Sequence, residues 1–330
     1  MSFSLRLNNV YLQSASSVVG PKEAKGPYGH YFDIAINDYY NNQKSFEEGE
    51  VEMAKAAIDL SLKKAKVKRS QIPLMFGGDL SNQIAISSLV MKGYSSSSIG
   101  VYGACSTMTL GLGLASVYVD LGFVDYALAF TSSSYPVAER QFRYPNDYGI
   151  QKKDSSTSTV TGAASFIVGR RKTKIKVTEL TYGRVHDPNK TDLNDLGSPM
   201  AFAAYHTIKD HLENLNRNVE DYDLIFTGDL SKVGTSVLLD EFKIDGINIT
   251  NHQDSGKSIY YREEEKVYAG GSGPACIGVM TAGYIVSEML KGKYKRVLLV
   301  ATGALFSSTL AYQKHTIPVI AHALTLEVSE

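Results

Sequence analysis

The sequence is poor in cysteine, holds no surplus of either charge and has no long apolar run. Two cysteines in 330 residues, Cys105 and Cys276, exclude a disulfide framework and predict reduced thiols. Lys plus Arg and Asp plus Glu number 34 each, so no long-range field draws the chain to nucleic acid or to an anionic bilayer. An anionic partner must therefore be met by local groups. No HExxH or CxxC spacing occurs, and neither a metal site nor a cofactor is expected. The longest apolar stretch, "VLLVATGALF" at 297–306, falls well short of the ~18 to 20 residues that cross a bilayer. The N-terminus lacks a basic n-region followed by an apolar h-region. The expectation is a soluble chain without a signal peptide or a transmembrane segment.

Three fragments of nucleotide and nucleophile motifs also fail. "DSGKS" at 254–258 ends like a P-loop, but Asn251 stands where that loop needs glycine. "AGGSGP" has Pro274 where a nucleophile elbow needs glycine, and "GSGPACIG" lacks the acidic residue that completes a dinucleotide fingerprint.

What is present is an ordinary globular composition, 43% hydrophobic and 21% charged, in a chain long enough for two halves or one large α/β unit. Strand-like and helix-like segments alternate throughout. Ser45 and Glu48 form a capping-box pattern, and Val51, Ala54, Ile58, Leu62 and Ala65 recur at helical spacing behind it. The order of segments then repeats. "FGGDLSNQ" at 76–83 returns as "FTGDLSKV" at 226–233, and "YGACSTMTLG" at 102–111 has a counterpart in "AGGSGPACIG" at 269–278. "YALAFTSS" at 126–133 matches "RVLLVATG" at 296–303, and "TVTGAASFIVG" at 159–169 matches "IPVIAHALTLEV" at 317–328. Four matches in one order point to internal duplication of a βαβαβ-type unit. The charged stretch "RRKTK" at 170–174 divides the halves, giving 1–171 with Cys105 and 172–330.

A duplicated α/β half, with a cysteine at the mouth of a buried helix in the first copy and a Gly-rich turn in the second, resembles the thiolase-like superfamily of thiolases and type III ketoacyl synthases. Within it, "VVGPKEAKGPYGHYFD" (18–33), "AERQFRYPNDYGIQK" (138–152), "STSTVTG" (156–162), "YDLIFTGDLS" (222–231) and "IPVIAH" (317–322) resemble the stage V sporulation protein AD family. The resemblance implies two duplicated α/β halves with mixed sheets, layered α-β-α-β-α. It also implies binding of dipicolinic acid, pyridine-2,6-dicarboxylate, as free acid or calcium chelate, for uptake into the developing spore. The partners it implies are the other SpoVA membrane proteins and a second copy of the chain, at the spore inner membrane.

Cys105 has two readings. A cysteine at a helix N-terminus meets unpaired N–H groups and the positive end of the helix dipole, which favour thiolate. Acyl transfer needs a proton-transfer partner and an oxyanion hole as well. Where the synthases carry His-Gln-Ala-Asn, this chain has Thr227, Gly228 and Asp229, and where they carry a Gly-Asn turn it has Gly270 to Gly273. His322 and His252 remain, each either an approach to Cys105 or a structural histidine. The sequence thus favours a binding pocket without catalysis. The same helix end is an anion site, with the Ser106 and Thr107 amides as donors beside Cys105. Ser132 and Ser133 at a strand end and Arg140 and Arg143 beyond it are candidates for a second carboxylate. For the arginines the alternative is an ion pair with Glu139 or Asp147. Asp79 and Asp229, in the repeated "GDLS", read as helix caps. No calcium-binding loop is visible.

Overall fold

A computed structural model describes residues 2–142 and 153–329; Arg143 and Asp147 lie outside them. The repeat in the sequence is a repeat of topology. The first half runs β1 (Tyr11–Val19), α1 (Phe46–Ala65), β2 (Leu74–Gly78), α2 (Ala85–Met91), β3 (Ser97–Gly100), α3 (Thr107–Asp120), β4 (Tyr126–Ser133) and β5 (Gly162–Gly169). The second runs β6 (Ile175–Tyr182), α4 (Gly197–Asn214), β7 (Leu224–Thr227), α5 (Ser231–Ile244), β8 (His252–Asp254), α6 (Pro274–Met280), β9 (Arg296–Ala304) and β10 (Val319–Val328). Beyond α6 the helix continues through a π turn, Thr281–Ile285, to Val286–Leu290.

The strands lie in the order β3-β2-β4-β5-β1 and, in the second half, β8-β7-β9-β10-β6. In both, the first three are mutually parallel and the last two antiparallel to their neighbours. Each of the four matched sequence pairs falls on topologically equivalent elements. Strand β1 meets β6 at Tyr11 opposite Lys176, the N-terminal strand Phe3–Arg6 runs antiparallel along β6 for four more pairs, and Ser158–Thr159 pairs with Gly271–Ser272.

Because successive strand residues point to opposite faces, a sheet covered on both sides feeds two cores. On β2, Leu74 and Phe76 enter one core and Met75 another. On β9, Val297, Leu299 and Ala301 enter the shared core, whereas Leu298 and Val300 face α4 and α5. The result is three apolar layers: α1 and α2 outside the first sheet, α3 and α6 between the sheets, α4 and α5 outside the second. This is the α-β-α-β-α arrangement. Helix α3, "TMTLGLGLASVYVD", is apolar on nearly every side because it packs on strands of both halves.

Local signals explain the helix ends. The Ser45 hydroxyl accepts from the Glu48 N–H at 3.2 Å, starting α1. The Glu48 carboxylate reaches the Lys44 N–H at 3.1 Å, one residue earlier than a capping box requires. Helix α3 begins two residues beyond Cys105, because Ala104 adopts a left-handed conformation (φ 49°) that turns the chain first.

Candidate functional site

The turn bearing Cys105 opens into a cavity of about 580 Å³ at the strand ends where the halves face each other. That is within the usual range for a small-molecule site. Ser81, Asn82, Gln83, Gln141 and Ser272 supply its amides and hydroxyls. Leu80, Ile84, Leu196, Met200 and Phe306 supply its apolar wall, and Tyr102 stands half-exposed at the rim. Among the described residues, no Lys, Arg, Asp, Glu or His lines it. Its wall is conformationally unusual: Gln83 (φ 55°), Ile84 (φ 48°) and Ala104 (φ 49°) are left-handed without being glycine. Each costs of order 1–3 kcal/mol, and such strain clusters at binding sites.

Cys105 is partly exposed at the cavity floor. Burial pushes its thiol well above the ordinary range, and the Asp229 carboxyl adds to this. The backbone N–H of Gly273 opposes both. Gly273 itself has φ 105°, and a Cβ there would lie 2.7 Å from Ser133 Oγ, so only glycine brings this amide to the sulfur.

Behind Cys105 lies Asp229, on the turn between β7 and α5. It is fully buried, and neither carboxylate oxygen has a hydrogen-bond partner among the described residues. Burial raises its pKa well above the carboxylate range, and nearby Asp254 raises it further. The expectation that Asp229 caps the following helix is therefore corrected. The capping acceptor is Asp254, which receives the N–H groups of Leu230 (3.1 Å), Ser231 (2.8 Å) and Lys257 (2.9 Å) and the Thr227 hydroxyl (2.7 Å). Burial nevertheless lifts its pKa to about 7. Asp79 does cap: it accepts from the amides of Ser81 and Ser87, each at 2.7 Å.

Of the other candidate ligand residues, none among those the structure describes lies on the cavity wall. The Ser106 and Thr107 amides donate to Gly103 O (3.0 Å) and Ala104 O (3.3 Å), closing the turn. Their hydroxyls bond the same two carbonyls at 2.6 Å. Ser132 donates to Glu50 at 2.8 Å and Ser133 to Val160 O at 2.7 Å, both buried. Arg140 pairs with Glu47, and its guanidinium lies 5.8 Å from the Phe46 ring centroid. Of the alternative partners named for the two arginines, Glu139 accepts from the Thr159 amide and hydroxyl at 3.2 Å; Asp147 lies outside the described residues, as does Arg143.

The histidines are structural in their contacts. His322 Nδ1 accepts from the Gly183 N–H at 3.2 Å, with the ring edge-on to Tyr182. His252 Nε2 lies 2.9 Å from the Thr227 hydroxyl. Burial pulls both imidazoles down to about 4. Among the described residues no cluster of His, Cys, Asp and Glu is arranged to hold a metal ion, and no helix is long and apolar enough to cross a membrane.

Two copies of a five-stranded unit around central helices, with a cysteine turn ahead of the first, define a thiolase-like protein. Two crystal structures of cerulenin-bound Xanthomonas campestris OleA share this fold, with TM-scores of 0.63 and 0.62, 14% and 15% identity and 98% of each chain covered. The family model of Stage V sporulation protein AD matches residues 2–327. Stage V sporulation protein AD of Bacillus subtilis (strain 168) is 44% identical over 319 residues, 96% of this chain and 94% of that protein. The chain belongs to the stage V sporulation protein AD family and is a sporulation protein.

Proposed function

We propose that this chain binds dipicolinic acid in the Cys105 cavity and serves its uptake into the developing spore. It does so as a homodimer at the spore inner membrane, together with the membrane proteins of the SpoVA system. One observation carries the reading: the cavity keeps a thiolase-like position at the cysteine turn, yet neutral amides and hydroxyls line it where acyl transfer would need an imidazole. Such a wall suits recognition of a small planar ligand by hydrogen bonds and apolar contact. In this reading the Asn82, Gln83 and Gln141 amides and the Ser272, Ser307 and Thr309 hydroxyls serve as the polar partners in place of Ser132, Ser133 and Arg140.

Calorimetric titration with dipicolinate, with and without calcium, tests this. The expected result is one site per chain, lost on filling the cavity by Cys105→Phe; no heat under either condition overturns the reading. A second reading, acyl transfer through Cys105, is favoured by one contact, the Gly273 amide aimed at the sulfur. It requires a mass increment on Cys105 after incubation with acyl-CoA.

A further inference from the structure

The chain carries no net charge, yet its cations are not evenly spread. Residues 170–176, "RRKTKIK", and 291–296, "KGKYKR", hold nine Lys or Arg and no acid. Strand register sets the two segments side by side. Arg296 of β9, Glu327 of β10, Lys176 of β6, Tyr11 of β1, Gly169 of β5 and Tyr126 of β4 pair in turn, forming one row across both sheets. Just beyond that row, Arg170, Lys172, Lys174, Lys291, Lys293 and Lys295 are all exposed. The Lys174 ammonium donates to the Leu290 carbonyl, which ties the two segments directly.

The acids nearby are fewer, and most are occupied. Glu288 holds Lys291 at 2.8 Å and Lys293 at 3.5 Å, and Glu327 holds Arg296 at 2.7 Å. Asp120 accepts from the Asn8 and Asn9 amides, and Asp223 from those of Lys295 and Arg296. With Asp125 they make five acids against nine cations, in a chain whose total is zero. Among the described residues, Arg170, Lys172, Lys174, Lys176 and Lys295 form no ion pair.

The duplication adds an apolar component. The turn at 121–126, after α3, and its counterpart at 291–296 both reverse at a left-handed glycine, Gly122 (φ 74°) and Gly292 (φ 86°). The second copy carries lysines, and the first carries Leu121 and Phe123, 62% and 71% exposed. Arg170 joins them, its guanidinium 3.0 Å from where a Cβ on Gly122 would stand. Leu290, 47% exposed, stands at the lysine end.

Lysine is depleted at protein–protein interfaces, whose centres need contiguous apolar area. Single Phe and Leu side chains among flexible cations suit a bilayer surface instead, with ammonium groups at the phosphates and apolar tips at the acyl boundary. We propose that this face docks the chain directly on an anionic phospholipid bilayer. The contact goes beyond placement at a membrane through SpoVA proteins, since it belongs to this chain alone. Ala304, at the other end of β9, lines the cavity roughly 25 Å from Arg296 at the usual rise per strand residue. Docking by this face therefore leaves the cavity clear of lipid.

The test is co-sedimentation of the full chain with vesicles of phosphatidylcholine alone and of phosphatidylcholine with about 30% phosphatidylglycerol, at about 0.1 M salt. Binding is expected to the second only, and to be largely lost at about 0.5 M salt. Lys172→Glu combined with Lys295→Glu changes two exposed, unpaired side chains and should weaken it at least about tenfold. Phe123→Ser should weaken it about threefold. Lys172→Gln with Lys295→Gln is the milder pair should the reversal not fold. Equal binding to both vesicles, or binding unchanged in the double variant, overturns the proposal. No binding to either vesicle also overturns it and leaves the face to an acidic protein. A dipicolinate titration on the same samples separates the readings: no heat with vesicle binding rejects the ligand reading alone, and heat without vesicle binding rejects the lipid contact alone.

Discussion

The turns after β2 and β7 carry the same four residues, Gly-Asp-Leu-Ser, and use their aspartates in opposite ways. Asp79 holds the amides of its own turn, whereas Asp229 holds none. The cause lies one strand away. In the first half Gly77 pairs with Gly100 at the end of β3, and in the second Thr227 pairs with Asp254 at the end of β8. Where one half has a glycine, the other has a carboxylate that reaches the neighbouring turn and caps it. The two halves share a topology, and the residue at the end of the adjacent strand decides whether the aspartate of the turn is its cap.

The sharpest way to break this comparison is to remove the acceptors. Asp254→Ala leaves three amides, two of them buried, and a buried hydroxyl without their partner, and a loss of about 3–5 kcal/mol is expected in urea unfolding. Asp79→Ala should cost less, about 2–3 kcal/mol, since fewer amides depend on it. A smaller loss at Asp254 than at Asp79 would contradict the assignment of the capping role. Asp229→Asn, with no bond to lose, should change stability by less than about 1 kcal/mol in either direction.

The pH dependence sharpens the same contrast. Burial raises Asp254 to about 7 and Glu50 to about 8, so the folded chain holds these protons more tightly than the unfolded one. The stability this contributes is present below the ordinary carboxylate range and is lost as pH rises through 7 and 8. His252 and His322, lowered to about 4, act oppositely: their contribution is present above about 6.5 and lost as pH falls towards 4. Between pH 6.5 and 8 the buried carboxyls alone should lower the melting temperature, and Glu50→Gln should flatten that slope. The smallest effect is expected at the surface. Arg140→Ala breaks an exposed pair with Glu47 and should cost under about 1 kcal/mol, with dipicolinate binding unchanged.

The duplication was legible in the sequence because strand alternation and small-residue turns write themselves into local pattern, whereas the layering followed from the resemblance to thiolase-like proteins. Asp229 was not, because "GDLS" reads the same in both halves and the deciding residue, Asp254, meets it only through strand pairing. Ser132 and Ser133 misled for a related reason: they end a strand covered on both faces, so their hydroxyls are consumed inside. Asn82, Gln83 and Gln141 look like ordinary polar residues, and only the left-handed backbone at Gln83 and Ile84 turns their segment into a wall. Ser272 lay within "AGGSG", which was noted for the asparagine it lacks.

Helix α3 presents Gly111 to Phe76 and Ala129 of the first half and Gly113 to Leu180 of the second. Lying between the two sheets and packed on strands of both, this helix is a party wall whose thickness both neighbours depend on. A Cβ at Gly111 would find ordinary contact at 3.8 Å, but one at Gly113 would meet Leu180 at 2.7 Å, and a side chain there would move not one sheet but the gap between two, and with it the width of the cavity above. The halves were free to diverge at their rims, but at the wall they share they had to change together or not at all.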